Sequence, residues 1–159
     1  MGIKIKLNEA EQKLATYLAK SRYLNARKRG KPNEKVGNQS DWETDLEGIG
    51  GELAACRYFN AYPDTDIDLD YLPKYDLITN KGKTVDVKTT KHLNGRLLAT
   101  KKKKSEWCDI YVLVTGEFPT YNLVGWAYSE DLIKETNLID LGHGEGYGLT
   151  QDNLRKFND

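Results

Sequence analysis

Cysteine is scarce in this chain, with two in 159 residues. Cys56 and Cys108 lack metal-ligand spacing and are too few for a disulfide framework, which points to a reducing compartment. Long apolar runs are missing too. With no secretory h-region and no stretch able to span a bilayer, the expected location is soluble and cytoplasmic. Net charge is absent, 24 basic residues facing 24 acidic ones, so the whole-molecule field does not advertise a nucleic-acid partner. There is no internal repeat and no low-complexity segment. Nucleotide-loop signatures are lacking as well. Gly48-Ile49-Gly50-Gly51 follows no strand, and the run Gly142 to Gly148 has no Gly-Lys-Ser/Thr ending. Asp64, Asp66, Asp68 and Asp70 alternate, but the Gly and closing Glu of a calcium loop are missing, and an exposed edge strand or loop is expected.

What is present is an uneven distribution of charge. From Lys20 to Lys35 the chain carries seven Lys or Arg against Glu34, and Lys101 to Lys104 form a second basic run. From Asp41 to Asp76 ten acids face Arg57 and Lys74. An acidic centre with basic flanks suits a metal cluster whose cationic walls meet phosphate, and it also suits ordinary patchy surface charge. The length fits one domain, residues 1–159, which buries roughly 70% of its unfolded surface.

Periodicity predicts an α/β fold, a central mixed β-sheet flanked by helices. Asn8 and Glu11 form a capping box for a helix continued by Leu14, Tyr17, Leu18 and Leu24 to about Ala26. Its basic end, with Arg22, Arg27 and Arg29, fits either dipole matching or phosphate contact. A second helix, about 43–61, carries the stripe Leu46, Ile49, Leu53, Cys56, with Glu52 on its margin. A carboxylate pushed toward a core costs several kcal/mol unless paired or bound to a cation (order of magnitude). Gly48, Gly50 and Gly51 each cost roughly 1 kcal/mol of helix propensity, which a close approach to another backbone would explain. Strands follow at 75–79 and 84–89, around the turn 80–83, and a short one at 96–100. The basic run 101–107 reads as a turn or short helix. The apolar strand 109–115 is long enough a link away to pair in parallel with 84–89, and 122–128 is a further strand. Ser129 caps a short helix through Glu135. Strands at 138–141 and 147–150 flank the glycine-rich turn, and 151–157 closes as a terminal helix. His92 and His143 read as surface residues.

The chain is organised around Tyr75-Asp76 and Asp86-Val87-Lys88. On a strand Val85 and Val87 face one way and Asp86 and Lys88 the other, the last two with Cα atoms about 7 Å apart. That spacing admits a cation, its water and a phosphate oxygen, with Asp76 as a second carboxylate. D-x-K triplets also arise by chance on any solvated strand. Order supplies the specificity: Gly-Gly-Glu52 on a helix, Tyr-Asp76 opening a strand, Asp86-Val-Lys88 on the next. Together these resemble the PD-(D/E)xK nuclease superfamily over about residues 44–128, with 109–114 and 124–126 as later core strands. Lys74-Tyr75 stands where that pattern has proline before Asp76, and the segment replacing the second core helix is short and lysine-rich.

The resemblance implies a restriction-endonuclease-like core, helix, three strands, helix, strand (αβββαβ), with Glu52, Asp76, Asp86 and Lys88 catalytic. Asp76, Asp86 and the Val87 carbonyl would bind Mg²⁺ or Mn²⁺, Glu52 holding the ion or its waters. Lys88 would orient water and stabilise charge on phosphorus while protonated, since adjacent carboxylates favour its charged form. Thr89, Thr90, Lys91, Arg27, Arg29, Lys101 and Lys103 are the expected nucleic-acid contacts. The expectation is a divalent-metal-dependent endonuclease acting on DNA in recombination, repair or a mobile element, RNA remaining open. Cutting both strands symmetrically needs two sites, as a homodimer offers. The rival is a non-catalytic nucleic-acid-binding module on the same fold.

Overall fold

The computed structural model describes residues 2–28, 41–68 and 75–158. Strand β1 (Ile3–Lys6) leads into helix α1 (Glu9–Lys28), followed in the described chain by α2 (Asp41–Phe59). The Asn8 and Glu11 side chains each accept the other's backbone N–H, at 2.9 and 2.8 Å, so the capping box forms as expected. Then come β2 (Leu77–Ile78), β3 (Thr84–Thr90), β4 (Leu97–Thr100), β5 (Ile110–Glu117) and β6 (Thr120–Tyr128). A one-turn helix α3 (Ser129–Leu132) and the hairpin β7 (Leu138–Asp140) and β8 (Glu145–Leu149) complete the chain's main elements.

The architecture is mixed α/β. Five strands run in the order β1-β6-β5-β3-β2, with β3 and β5 parallel and every other pair antiparallel. The parallel register is locked where Asp109 Oδ2 accepts the Thr84 N–H and hydroxyl at 2.9 and 3.1 Å. A second sheet has the order β4-β8-β7. Alternation along β3 splits the core in two. Val85 and Val87 join Leu53, Ala54 and Cys56 of α2 and Leu18 of α1 on one face. Tyr111, which pairs with Asp86, lies with Leu113, Leu97, Ala99 and Cys108 in the cluster on the other. No helix among the described residues is long and apolar enough to cross a membrane.

Several expectations change. On α1 the buried stripe is Ala15, Leu18, Ala19 and Arg22, while Tyr17 and Leu24 are 60% and 58% exposed. Ala15 and Ala19 flank Leu18 in that stripe and let α1 pack closely, while Tyr17 and Leu24 stay outside. Strand β2 has two residues where five are expected, although single backbone bonds, Asp76 N–H to the Val85 carbonyl and Thr79 N–H to the Lys83 carbonyl, continue the pairing on either side of it. Between β4 and β5 the basic run ends in a single 3-10 turn, Ser105–Trp107, in line with the expected turn or short helix and without the second core helix that the resemblance implies. Ser129 does not cap α3: Tyr128 is the N-cap residue, and the Ser129 hydroxyl donates to the Cys108 carbonyl at 2.6 Å. No terminal helix forms. After the 3-10 turn Gln151–Asn153, Arg155 exchanges backbone hydrogen bonds with Trp126. The aspartate-rich stretch contains no strand within 61–68, and Asp70 lies outside the described residues.

Candidate active site

Three elements deliver the acids. Asp86 sits mid-β3 and is 4% exposed. Lys88 Nζ lies 2.7 Å from Asp86 Oδ1, an ionic contact without well-directed hydrogen-bond geometry, since no donor is aimed at that oxygen. The other oxygen, Oδ2, accepts from Lys103 Nζ at 3.1 Å. Two ammonium groups therefore straddle one buried carboxylate. Burial alone would push the Lys88 ammonium down, yet the charge and contact of Asp86, with Asp76 and Glu52 behind it, hold Lys88 above the ordinary lysine value.

Asp76 stands at the sheet edge where β2 begins. Its N–H donates to the Val85 carbonyl at 2.8 Å, and its Oδ2 accepts the Val87 N–H at 2.6 Å. The N–H and C=O of one strand residue leave on the same edge, so the Val87 carbonyl also faces the Asp76 side. Burial, then the neighbouring Asp86 charge, raise the Asp76 carboxyl to about 6.

Glu52 arrives from the other direction. Its helix covers the Val85 and Val87 face, whereas Asp86 projects from the opposite face, and Asp76 stands between them at the edge. The carboxyl of Glu52 is pushed well above the usual range by burial, then by Asp76, with Asp64 and Asp86 adding and Arg22 opposing. The glycines explain how α2 comes so near. A Cβ on Gly51 would lie 2.0 Å from Thr89 Oγ1, and one on Gly50 would lie 2.0 Å from the Tyr121 hydroxyl. The close approach is to side chains, not backbone, and Gly48, with nothing within 4 Å, takes no part in it. Glu47 fastens the same helix by accepting the Phe118 N–H at 3.1 Å.

The expected nucleic-acid contacts divide. Thr89 has its hydroxyl buried without a partner under Gly51, so it packs α2 rather than facing solvent. Lys103 turns inward to Asp86. Lys101 pairs with Glu145 at 3.6 Å on the second sheet. The Thr90 Oγ1 accepts the His92 N–H at 3.2 Å and orders the turn that follows. Lys91 is exposed, as are His92 and His143. Arg27 lies over the Tyr23 ring, 5.0 Å from its centroid, and Arg29 is outside the described residues.

Arg22, expected at the basic helix end for dipole matching or phosphate contact, instead turns inward. It is 9% exposed, and its guanidinium donates to the Asp66 and Asp64 carbonyls at 2.8 and 3.0 Å. It thereby pins the acidic segment beside Glu52 and supplies the positive charge that Glu52 meets. The signal was in the spacing: 15, 18, 19, 22 is one helical stripe, and Arg22 ends it. The cysteines add no chemistry. Burial, then Glu52, push the Cys56 thiol up to about 12, so it stays protonated and unreactive at neutral pH.

Whether these residues suit a divalent cation follows from the donor set. Among the described residues no three Asp, Glu, His or Cys side chains form a ligand cage of their own. A Mg²⁺ ion asks for less, since it keeps several waters and takes one or two carboxylates. Asp76, Asp86 and the Val87 carbonyl would supply oxygens of that kind, and the Asp76 and Glu52 carboxyls are raised by burial first and by neighbouring carboxylates second, the part that a cation would relieve. Glu52, on the helix side, would meet such an ion through its waters. No protein-family model and no curated protein sequence matches this chain.

Proposed function

We propose that the chain is a divalent-metal-dependent nuclease of the PD-(D/E)xK kind, hydrolysing phosphodiester bonds in DNA. The observation that carries the reading is the Asp86 carboxylate, buried and held by Lys88, with the Asp76 carboxyl at the adjacent edge raised by burial and then by that same charge. A solvated strand would have neither feature. Asp76, Asp86 and the Val87 carbonyl would hold Mg²⁺ or Mn²⁺. When bound, that ion supplies Lewis-acid polarisation of the phosphate and a lowered pKa for bound water.

The chain's own groups do the rest. Lys88, kept protonated by the acids around it, acts as a hydrogen-bond donor that orients water and stabilises charge on phosphorus. Its ammonium is therefore not the base. Glu52 orients water from the helix side, and Arg22 keeps the acidic wall behind it in place.

One observation favours the non-catalytic rival: Lys88 and Lys103 together already neutralise Asp86. Cleavage assays across single-stranded, duplex and branched DNA and RNA, with Mg²⁺, Mn²⁺ or EDTA, separate the two. The nuclease cuts with metal and stops with EDTA, whereas the module only binds, with steep salt dependence. Asp86→Asn and Lys88→Ala should each abolish metal-dependent cutting while leaving a cooperative melt. Undiminished cleavage by either variant rejects the assignment.

A further inference from the structure

The glycine-rich run that begins between β7 and β8 and continues into β8 carries no phosphate-loop signature, and the fold gives it another use. Gly146 and Gly148 share one face of β8, opposite Tyr147 and Leu149, which pack on the second core. A Cβ on Gly148 would meet Ile139 Cδ1 at 2.6 Å and Leu98 Cδ2 at 3.1 Å, and one on Gly146 would meet Leu141 Cδ1 at 2.8 Å. Without those side chains, Leu98, Ile139 and Leu141 lie down across the sheet as a flat aliphatic platform. Its across-strand pairs are Leu98 with Gly148 and Ile139 with Gly146.

This platform is one wall of an open groove of about 520 Å³. The facing wall is the end of β3, including Lys88, and the following turn with Asn94 and Arg96. The turn is held in place: Gln151 Nε2 donates to the Leu93 and Gly95 carbonyls at 2.8 and 3.0 Å. The groove is thus preformed and of ligand-binding size, with Lys88 and Arg96 on one wall, the aliphatic platform on the other and Asp140 also in its lining.

We propose that this groove receives an unstacked nucleobase beside the scissile phosphate, so that the substrates are nucleic acids with unpaired nucleotides rather than uninterrupted duplex. The inference deepens the nuclease reading and rests on it. A base out of its stack presents a flat apolar face, which apolar side chains can cover, and a hydrogen-bonding edge within reach of a rim amide such as Asn94. Lys88 and Arg96 are complementary to the phosphates that flank such a base. Duplex DNA, its bases stacked inside, would offer only backbone and leave the leucine platform bare.

The test is fluorescence anisotropy in EDTA, with a short labelled oligothymidylate and a hairpin-closed duplex of equal charge. Wild type should bind the single strand about tenfold or more tightly than the duplex, in line with one well-covered base. The double variant Leu98→Ser/Ile139→Ser should bring the two affinities to near parity by weakening the single-strand complex alone. If that variant fails to melt cooperatively, Leu98→Ser by itself should show a severalfold loss, its side chain being 37% exposed. Equal wild-type affinities, or a full single-strand preference in the variants, overturn the proposal. Adding Mg²⁺ or Mn²⁺ keeps the two readings apart. A protein that prefers single strands but cuts nothing supports the groove and removes the hydrolase, and one that cuts both substrates without preference does the reverse.

Discussion

Replacing Asp76 by asparagine should stabilise the metal-free protein while destroying its nuclease activity. The Asp76 carboxyl is raised from 3.8 to about 6, first by burial and then by Asp86. Ionising it in the folded state therefore costs about 2 pH units' worth of free energy, or about 3 kcal/mol at most. The sign follows from linkage. Below about pH 4 the group is protonated in both states and nothing is lost. As pH rises from about 4 to 6, the unfolded chain releases its proton first and stability falls, and above about 6 the loss is complete. Asparagine keeps an oxygen for the Val87 N–H, which Asp76 Oδ2 meets at 2.6 Å, but carries no charge. At pH 7.5 in EDTA the variant should melt about 6 to 12 °C above wild type, with a flatter stability curve between pH 4 and 6. Alanine removes the same charge but leaves the Val87 N–H unpaired at a cost of about 1–3 kcal/mol, so it should melt clearly below the asparagine variant and nearer wild type. Added Mg²⁺ should raise the melting temperature of wild type and much less that of the asparagine variant. Calorimetry across pH, with and without EDTA, measures all of this. An asparagine variant that melts as low as the alanine one, or keeps the wild-type pH dependence, would refute the reasoning.

The glycines of α2 should part company. Gly48→Ala, with nothing within 4 Å of the new methyl, should gain about 0.5–1 kcal/mol of helix propensity. Gly51→Ala should lose about 1–3 kcal/mol by driving into Thr89, and its displaced helix should weaken cleavage through Glu52. Denaturant titration reads both. Arg22→Leu should cost about 2–4 kcal/mol by stranding the Asp64 and Asp66 carbonyls, and amide exchange should show residues 61–68 losing protection first. The Asp109 carboxyl is held below its usual value, chiefly by the Thr84 backbone N–H and against an opposing burial effect. Its contribution is therefore present above about pH 4 and lost as pH falls through the lower folded value. Asp109→Asn should remove that acid-limb loss, and a difference curve that stays flat below pH 4 would show Thr84 gains nothing from the charge.

Local pattern determined much of this protein. The Asn8 and Glu11 capping box, the α2 stripe through Ile49, Leu53 and Cys56, and the split of Val85 and Val87 from Asp86 and Lys88 all follow from periods of 3.6 and 2 and from contacts within a few residues. So does the identity of the acids, because each is marked by its own element. What tertiary structure alone decided is which groups share space across distant segments. Lys103 answers Asp86 from a turn after β4, Arg22 answers the Asp64 segment from another helix, and Thr89 is roofed by Gly51 of α2. The side-chain bonds that tie Asp76 to the Val87 N–H and Ser129 to the Cys108 carbonyl likewise join segments that no propensity connects. The reason is physical: periodicity reports which face of an element is apolar, while charge pairing and close approach depend on where other elements finally pack against it.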